Sequence, residues 1–275
     1  MAQLKIAADK TAMSEAAAAR VTRLVETAIS ARGVAAVSLT GGTTPDLLYQ
    51  FLADRSRPWR DRIDWAHVHL FWSDEREVPP QHQDSNFGLA TRLLLRHVPV
   101  PATQIHRMRG ELPASDAGRL YDALLRTRRD QVGGPLFDIM LLGIGANAHI
   151  ASIFPNSPLL IRGPGGSAPR TSEASGASAA SGADLSGPRD SLATGVHVPE
   201  LSQWRITMTP AALLDSAVII VIANGSSKAD AVAATMEDAL DVARYPAQLL
   251  RAAGHHVEWI IDSAASARLR AVPPA

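Results

Sequence analysis

The most informative absence in this chain of 275 residues is that of cysteine. Without cysteine there is no disulfide framework, no thiolate nucleophile and no sulfur ligand for a structural zinc site. Net charge is also absent, because Lys and Arg together number 27 and Asp and Glu also number 27. The chain as a whole therefore offers no electrostatic attraction to nucleic acid or to an anionic membrane, and local groups must hold any bound anion.

Long apolar runs are missing as well. No apolar stretch approaches the roughly 20 residues that a membrane-spanning helix needs, and the first residues lack the basic-then-apolar order of a secretory signal. The remaining composition, 46% hydrophobic and 20% charged, is that of an ordinary soluble protein, which excludes the disordered and fibrous classes. We therefore expect a cytoplasmic protein.

What is present is an alternation of apolar strands with amphipathic helices. Apolar spacing predicts a helix over residues 14–33 that ends at Gly33. Short β-branched runs predict four strands, over 34–39, 68–72, 137–142 and 217–223. Such uninterrupted apolar strands indicate an α/β fold with a mostly parallel, Rossmann-like sheet and helices on both faces. Ligands in these folds bind beyond the carboxyl ends of the strands, where the polar loops of this chain also fall.

One segment departs from this pattern. Residues 163–188 contain 21 Gly, Ser, Ala or Pro residues among 26, a composition that buries too little apolar surface to offset its ordering entropy. Apolar strands and helices resume beyond it. We therefore expect a flexible insertion within one domain that spans residues 1–275; a linker between two domains is the alternative.

Two of the polar loops predict a phosphate site. "TGGTTP" at 40–45 places glycines and hydroxyls at a helix start, with Thr44 as the N-cap and Pro45 as the first helical residue. "NGSSKA" at 224–229 has the same form, with a Ser-Ser cap and Lys228 in the first turn. Helix N-termini favour phosphate, and a lysine there opposes the helix dipole unless it faces an anion. The alternatives are a capped tight turn and a solvated lysine.

Charged side chains follow the strand at 68–72. Asp74 and Arg76 lie in "WSDERE", where an arginine beside a phosphate-binding turn offers bidentate recognition; an ion-paired loop is the alternative. His67 and His69 alternate along the same strand. Because neither a nearby carboxylate nor a further histidine stands at ligand spacing, we interpret this pair as structural, and the sequence predicts no metal site.

His149 is the candidate base. It follows the apolar run 137–142, next to backbone that Gly143 and Gly145 leave free. A histidine there is suited to general-base catalysis at neutral pH, although a structural histidine is the alternative. No "GxSxG" motif occurs in the chain, which makes Ser152 a poor nucleophile and water the preferred attacker.

With these loops identified, the chain resembles the 6-phosphogluconolactonase family, which shares an α/β fold with glucosamine-6-phosphate deaminases and related isomerases. The segments that carry the resemblance run in family order from about residue 34 to residue 262. They are "SLTGGTTPDLLYQFLA", "VHLFWSDEREVPPQHQDSNFGLA", "IHRMRGE", "FDIMLLGIGANAHIASIFP", "GVHVPELSQWRITMTPAALLDSA" and "GSSKADAV". The order "WSDER", "DSN", "HIASIFP" is the specific part.

The resemblance implies hydrolysis of 6-phosphoglucono-1,5-lactone to 6-phosphogluconate in the oxidative pentose phosphate pathway, with a small phosphosugar lactone as partner and no metal or organic cofactor. It implies that His149 activates water and that Asp74 helps to position the substrate. It assigns the phosphate cradle and the positive charge to further residues: Gly41, Gly42, Thr43, Arg76, Arg205 and Lys228. Whether the protein is a monomer or a dimer stays open.

Two residues depart from the family pattern. Where the family usually has Asp-Gly-His, this chain has Asn147, Ala148 and His149. A carboxylate at 147 would orient the imidazole and stabilise its protonated form, whereas Asn147 can orient it by hydrogen bonding but adds no charge. Ala148 restricts backbone that glycine would leave free. A second hypothesis is therefore a sugar-phosphate binding or regulatory protein with weak turnover.

The deaminase relatives are a third and weaker hypothesis. In that family the histidine is followed by a segment that ends in Asn-Glu-Pro, whose carboxylate serves ring opening. This chain has Ile153, Phe154 and Pro155 there, with no acid. Lactone hydrolysis needs no such group, so the sequence favours the lactonase hypothesis.

Overall fold

Strands and helices alternate through residues 2–160 and 191–270, which are the residues that the computed structural model describes. The strands among them are Gln3–Ala7 (β1), Ala35–Leu39 (β2), Val68–Trp72 (β3), Asp74–Arg76 (β4), Phe137–Gly143 (β5), Ala193–Val198 (β6), Gln203–Met208 (β7), Ser216–Ala223 (β8) and Val257–Asp262 (β9). The α-helices are Lys10–Arg32 (α1), Asp46–Ala53 (α2), Asn86–Ala90 (α3), Ala114–Gln131 (α4), Pro210–Leu214 (α5) and Ala229–Met236 (α6). The predicted insertion at 163–188 lies outside the described residues.

The central sheet has six strands in the order β1-β9-β8-β5-β2-β3, and every pairing in it is parallel. All four strands predicted from the sequence belong to it, which confirms the mostly parallel α/β fold. β5 and β8 pair directly although the 163–188 segment separates them along the chain. Because parallel strands end at one edge, the four loops singled out in the sequence share that edge.

Helices cover both faces of this sheet. Successive β5 side chains enter different apolar clusters, with Ile139 packing among α1 and α2 residues and Met140 among α4 and α6 residues. This alternation is the period of two that a strand imposes on its side chains, and it explains why both faces of β5 are apolar. Among the described residues, none of the helices has the combination of length and apolarity required for a transmembrane span.

The helix boundaries differ in part from the predictions. α1 ends as predicted at Gly33, which has a left-handed φ of 78°, but it begins at Lys10 because the Asp9 side chain accepts a hydrogen bond from the Ala12 N–H at 2.9 Å. The prediction that Thr44 caps α2 was wrong. Pro45 already has helical φ and ψ and occupies the cap position, and no side chain within residues 2–160 and 191–270 caps this helix.

A second, smaller sheet was not predicted. It has the antiparallel order β4-β7-β6, and β4 pairs Arg76 directly with Arg205 of β7. Its strands are short and partly polar, and β4 has only three residues, so they lack the apolar runs that revealed the central sheet. This small sheet is what carries Arg205 to the polar loops.

The predicted strand pair His67 and His69 does not share a strand. His67 lies in a 3₁₀ turn before β3 and contacts the Asp64 carboxylate at 2.7 Å, whereas His69 lies in β3 with its Nδ1 3.0 Å from His106 Nε2. Both are thus engaged with neighbours that the sequence alone did not reveal. No group of three or more metal-ligating side chains occurs in the part of the chain that the structure describes.

Candidate active site

The site assembles where the loops after β2, β3 and β5 meet. Ser152, after β5, donates its hydroxyl to Asp74 Oδ2 at 2.6 Å. Asn86, at the start of α3, donates its amide to the Asp74 backbone oxygen at 2.9 Å and to Asp74 Oδ1 at 3.2 Å. The Asn86 side chain also lies against Gly41, where an added Cβ would be only 1.8 Å from Asn86 Oδ1. Three loops that are distant in sequence are therefore in direct contact.

His149 lies in a close-fitting niche beside this contact. Its Nδ1 is 2.7 Å from Asn147 Oδ1, and its ring stacks on Phe154 with centroids 4.0 Å apart. The ring also approaches Gly145 so closely that a Cβ there would be 2.0 Å from Nδ1. Gly145 is therefore required by the imidazole, whereas Gly143 has no such contact and donates its N–H to Thr40 Oγ1 at 3.3 Å.

The position of the proton on His149 follows from these contacts. Burial is the main cause that lowers the pKa of His149, to about 4, so the ring is neutral at pH 7. Because the amide oxygen of Asn147 only accepts hydrogen bonds, the proton lies on Nδ1. Among the described residues no hydrogen bond engages Nε2, which leaves its lone pair free.

Charged groups of both signs surround His149. Asp74 raises the pKa of His149, and three cations lower it: Lys228, Arg205 and Arg76. The structure thus brings together six side chains that the sequence analysis singled out: Asp74, Arg76, Asn147, His149, Arg205 and Lys228. The predicted base has a carboxylate and an excess of positive charge as its immediate electrostatic environment.

Arg76 and Arg205 face one another across the small sheet and border a cavity of about 470 Å³, which Gln203 and Asp84 also line. Arg205 is 9% exposed, and burial together with Arg76 lowers its pKa. Arg205 Nη2 donates to Gln203 Oε1 at 2.7 Å, and Arg76 Nη1 donates to the Asp84 backbone oxygen. The Nε atoms of both arginines are buried without a hydrogen-bond partner among the described residues. Two guanidinium groups of like charge at the border of one cavity suit an anion there.

Lys228 approaches from the loop after β8. It ends the 3₁₀ turn Ser226–Lys228 that leads into α6, and burial lowers its pKa. The predicted Ser-Ser cap was wrong: Lys228 itself occupies the cap position of α6, without a capping side chain. The two serines cannot cap because they are inside the turn, which the bond from Lys228 N to Gly225 O closes at 3.1 Å.

The glycine loop after β2 has a partly left-handed backbone. Gly42 has φ of 83°, and the backbone oxygen of Thr43 accepts a hydrogen bond from Lys10 Nζ at 2.7 Å. Burial raises the pKa of Asp46, in the first turn of α2, above its ordinary value, although Lys10 opposes the shift. Because no side chain in the described part of the chain caps α2, its first N–H groups are available to an anion there, as the phosphate cradle predicted at Gly41, Gly42 and Thr43 requires.

The comparison with known families agrees with this arrangement. A family model described as "Glucosamine-6-phosphate isomerases/6-phosphogluconolactonase" matches residues 8–259. The chain belongs to this family. The match begins before α1 and ends within β9, so it includes β2 to β8 and the loops that follow β2, β3, β5 and β8.

Individual relatives also match over most of this chain and of their own length. The 6-phosphogluconolactonase of Haemophilus influenzae is 30% identical over 83% of this chain and 85% of its own length. That of Mycobacterium tuberculosis is 32% identical over 97% and 98%. A crystal structure of the devB protein superposes with a TM-score of 0.76 at 28% identity, covering 98% of this chain and 99% of that one. A monomeric glucosamine-6-phosphate deaminase of the NagB superfamily, at 20% identity, TM-score 0.71 and 97% and 99% coverage, shares the fold.

Four side chains of this family member were not assigned roles from the sequence. They are Glu75, Asn86, Phe154 and Glu200. Glu75 is 2% exposed, and its carboxylate accepts hydrogen bonds from the Asn86 and Phe87 N–H groups at 2.8 Å each. It therefore fixes the start of α3 against β4. Glu75 and Asn86 stand inside the quoted "WSDER" and "DSN" segments, so the signal was present, but their partners become visible only in three dimensions.

The Asn-Ala departure from the family pattern has a clear local structure. Ala148 has φ of 61°, a left-handed conformation that glycine adopts freely and that costs an alanine about 1–2 kcal/mol. Two hydrogen bonds hold it there, from Ala148 N to Gly145 O at 2.9 Å and from Ala247 N to Ala148 O at 2.8 Å. The turn thus keeps its shape without glycine, at a cost in backbone strain.

Proposed function

We propose that this chain hydrolyses 6-phosphoglucono-1,5-lactone to 6-phosphogluconate, with His149 as the general base. The observation that carries the proposal is the state of this imidazole. It is neutral, its Nδ1–H is held by Asn147 and its Nε2 is unengaged, in a site with three cations. A lactone that carries a phosphate matches such a site, because it needs both an activated water and a counter-charge.

In the proposed reaction, water attacks the lactone carbonyl carbon while His149 Nε2 takes one of its protons. The carbonyl oxygen becomes an oxyanion, and the resulting tetrahedral intermediate expels the ring oxygen by cleavage of the acyl C–O bond. His149 returns the proton to that oxygen, so the products are a carboxylic acid, which ionises, and a hydroxyl. The base is regenerated without a covalent enzyme intermediate.

Asp74 acts in this scheme through its charge. Both of its carboxylate oxygens accept hydrogen bonds within the protein, from Ser152 and Asn86, and the side chain is 7% exposed. It raises the pKa of His149 and so stabilises the imidazolium that forms when the proton is taken up. We therefore infer that Asp74 acts on His149 through its charge and does not contact the substrate.

Binding of the substrate phosphate is proposed to raise the pKa of His149. The pKa of His149 is about 4 without ligand, which is low for a base that works near neutrality. Arg76, Arg205 and Lys228 contribute to that depression, and a bound phosphate dianion would neutralise part of their charge. Binding of the phosphate at these cations and at the loop Gly41–Thr43 then raises the pKa of His149 and strengthens the base.

The residue next to His149 in space disfavours a deaminase activity for this chain. The residue that follows Ile153 is Phe154, whose ring stacks on His149 at 4.0 Å. An apolar ring there excludes water from one face of the imidazole and offers no acid for ring opening. The proposed function is therefore hydrolysis and not deamination.

The test compares hydrolysis of freshly generated 6-phosphogluconolactone with its spontaneous rate. We expect wild-type protein to accelerate hydrolysis strongly and His149→Ala to fall to the spontaneous rate while still binding 6-phosphogluconate. His67→Ala is the matched control, because His67 is an exposed histidine paired with Asp64 outside the site. Arg205→Ala should weaken binding of 6-phosphogluconate, measured by calorimetry.

Two results would overturn the proposal. If His149→Ala keeps wild-type turnover, His149 is not the base. If wild-type protein hydrolyses the lactone no faster than buffer while it binds 6-phosphogluconate, the chain is a sugar-phosphate binding protein on this fold.

A further inference from the structure

The side-chain amide of Asn147 contacts two groups. Its oxygen is 2.7 Å from His149 Nδ1, and its Nδ2 donates a hydrogen bond to Glu200 Oε2 at 3.0 Å. Glu200 lies in the 3₁₀ turn Pro199–Leu201 between β6 and β7, 53 residues further along the chain. We propose that Glu200 is a positioning residue for His149 that acts through the Asn147 amide, an inference that rests on the proposed function of His149.

The hydrogen-bonding chemistry of the three groups allows only one orientation. A carboxylate at neutral pH only accepts hydrogen bonds, so Glu200 requires the NH₂ group of Asn147 to face it. The Asn147 oxygen must then face His149, where it also accepts the His149 backbone N–H at 3.3 Å. Rotating the amide by half a turn would oppose oxygen to carboxylate and NH₂ to N–H. Glu200 thereby selects the tautomer with the proton on Nδ1 and the lone pair on Nε2.

The same contact explains why asparagine is suited to this position. The substitution Asn147→Asp would place a second carboxylate within hydrogen-bonding distance of Glu200, and the two like charges would repel or share a proton. If Glu200→Gln is made as well, the new carboxylate would instead accept hydrogen bonds from both of its neighbours. The wild-type pair and the double variant are therefore compatible combinations, whereas the single variant Asn147→Asp is not.

A double-mutant cycle tests this coupling. We expect Asn147→Asp to lower kcat in the presence of Glu200, and the double variant Asn147→Asp/Glu200→Gln to recover at least about 10-fold of it, the rate equivalent of one hydrogen bond to a charged group. Both variants should leave KM unchanged, since neither residue is placed against the substrate. If Asn147→Asp has the same effect in the Glu200→Gln background as in the wild-type background, the two residues are uncoupled and the inference is wrong.

Single variants of Glu200 separate the loss of its hydrogen bond to Asn147 from the loss of side-chain volume. Glu200→Ala should lower kcat by about 10-fold, and Glu200→Gln, which keeps an acceptor for Asn147 Nδ2, by only about threefold. Glu26→Ala is the matched control, because Glu26 also accepts a side-chain hydrogen bond, from Arg62 Nε at 2.8 Å, but lies on α1 outside the site. Equal kcat for wild type, Glu200→Ala and Glu26→Ala would overturn the inference.

A second readout does not depend on turnover. In ¹⁵N-histidine-labelled protein, the ring nitrogen shifts of His149 should report the Nδ1–H tautomer in wild type and a larger share of the Nε2–H tautomer in Glu200→Ala. The other groups that bear on the His149 charge, namely Asp74, Arg76, Arg205 and Lys228, are the same in both proteins. An unchanged tautomer in Glu200→Ala would refute the role of Glu200 whether or not wild type is active, whereas an inactive wild type with a changed tautomer in Glu200→Ala would refute only the proposed function.

Discussion

The contact between Gly41 and Asn86 makes a strong prediction about a single methyl group. In Gly41→Ala the new Cβ would lie 1.8 Å from Asn86 Oδ1, 2.2 Å from Cγ and 2.6 Å from Nδ2. Asn86 is 1% exposed, and its amide cannot turn away from the new methyl group without leaving Asp74. The substitution must therefore displace a buried amide.

The cost has two parts. Displacing Asn86 breaks its hydrogen bonds to the Asp74 backbone oxygen and Oδ1, of which the second is to a charged group. Such a bond contributes about 0.5–1.5 kcal/mol between neutral groups and about 1.5–3 kcal/mol to a charged group, and overpacking a tight interior costs about 1–3 kcal/mol, so a loss of at least about 3 kcal/mol is expected. For a chain of this size, that lowers the thermal midpoint by about 6–12 °C.

The measurement is urea and thermal unfolding with two matched glycine variants. Gly134→Ala adds its methyl group to open space on an exposed loop and should be neutral. Gly42→Ala also meets open space but has φ of 83°, so it should lose only the left-handed strain of about 1–2 kcal/mol.

A double variant isolates the steric cause. Since Asn86→Ala removes the atoms that the new methyl group would meet, Gly41→Ala should cost little in that background. If Gly41→Ala is as stable as Gly134→Ala, or if its cost is the same with and without the Asn86 side chain, the reasoning is refuted.

Three further predictions follow from the site. Phe154→Ala should raise the pKa of His149 from about 4 toward its ordinary value, because the stacked ring contributes to its burial; an unchanged NMR titration would contradict this. Burial lowers the pKa of His106 to about 4, below its unfolded value, so the free energy of unfolding should decrease as the pH falls from about 6.5 to about 4, and His106→Gln should flatten that dependence in urea titrations. Ala148→Gly relieves about 1–2 kcal/mol of strain but loses a buried methyl group of about 0.8 kcal/mol, so unfolding in urea should show a gain below about 1 kcal/mol and not a loss.

Four strands of the central sheet, β2, β3, β5 and β8, were predictable because they are largely buried, whereas β9 and the unburied edge strand β1 were not predicted. Ile139 to Leu142 in β5 face apolar neighbours on both sides, so the sequence shows an uninterrupted apolar run with glycines at its end. The small sheet was not predictable by the same signal. β4 consists of charged residues whose strand geometry arises from pairing with β7, a partner about 130 residues away in the chain.

The candidate site likewise contains residues that the sequence indicates and partners that only the fold reveals. The proposed base His149 stands out in the sequence because it follows the apolar run of β5, and Asp74 because it comes two residues after β3, although it lies in the short strand β4. The groups that fix those side chains are in other segments: Asn86 in α3 holds Asp74, and Glu200 beyond β6 holds Asn147. No local spacing relates such pairs, so only the fold shows that they meet.

The position of β1 has a consequence for the order of events during synthesis. Among the described residues β1 forms the edge of the central sheet and pairs only with β9, from Gln3 paired with Glu258 to Ala7 paired with Asp262. Arg20 in α1 likewise bonds Glu258, at 2.7 Å through Nε. A ribosome must therefore translate residue 262 before the first strand can dock, and until then the growing chain presents the unpaired edge of β8. Chaperone binding during translation should accordingly persist until β9 has left the exit tunnel.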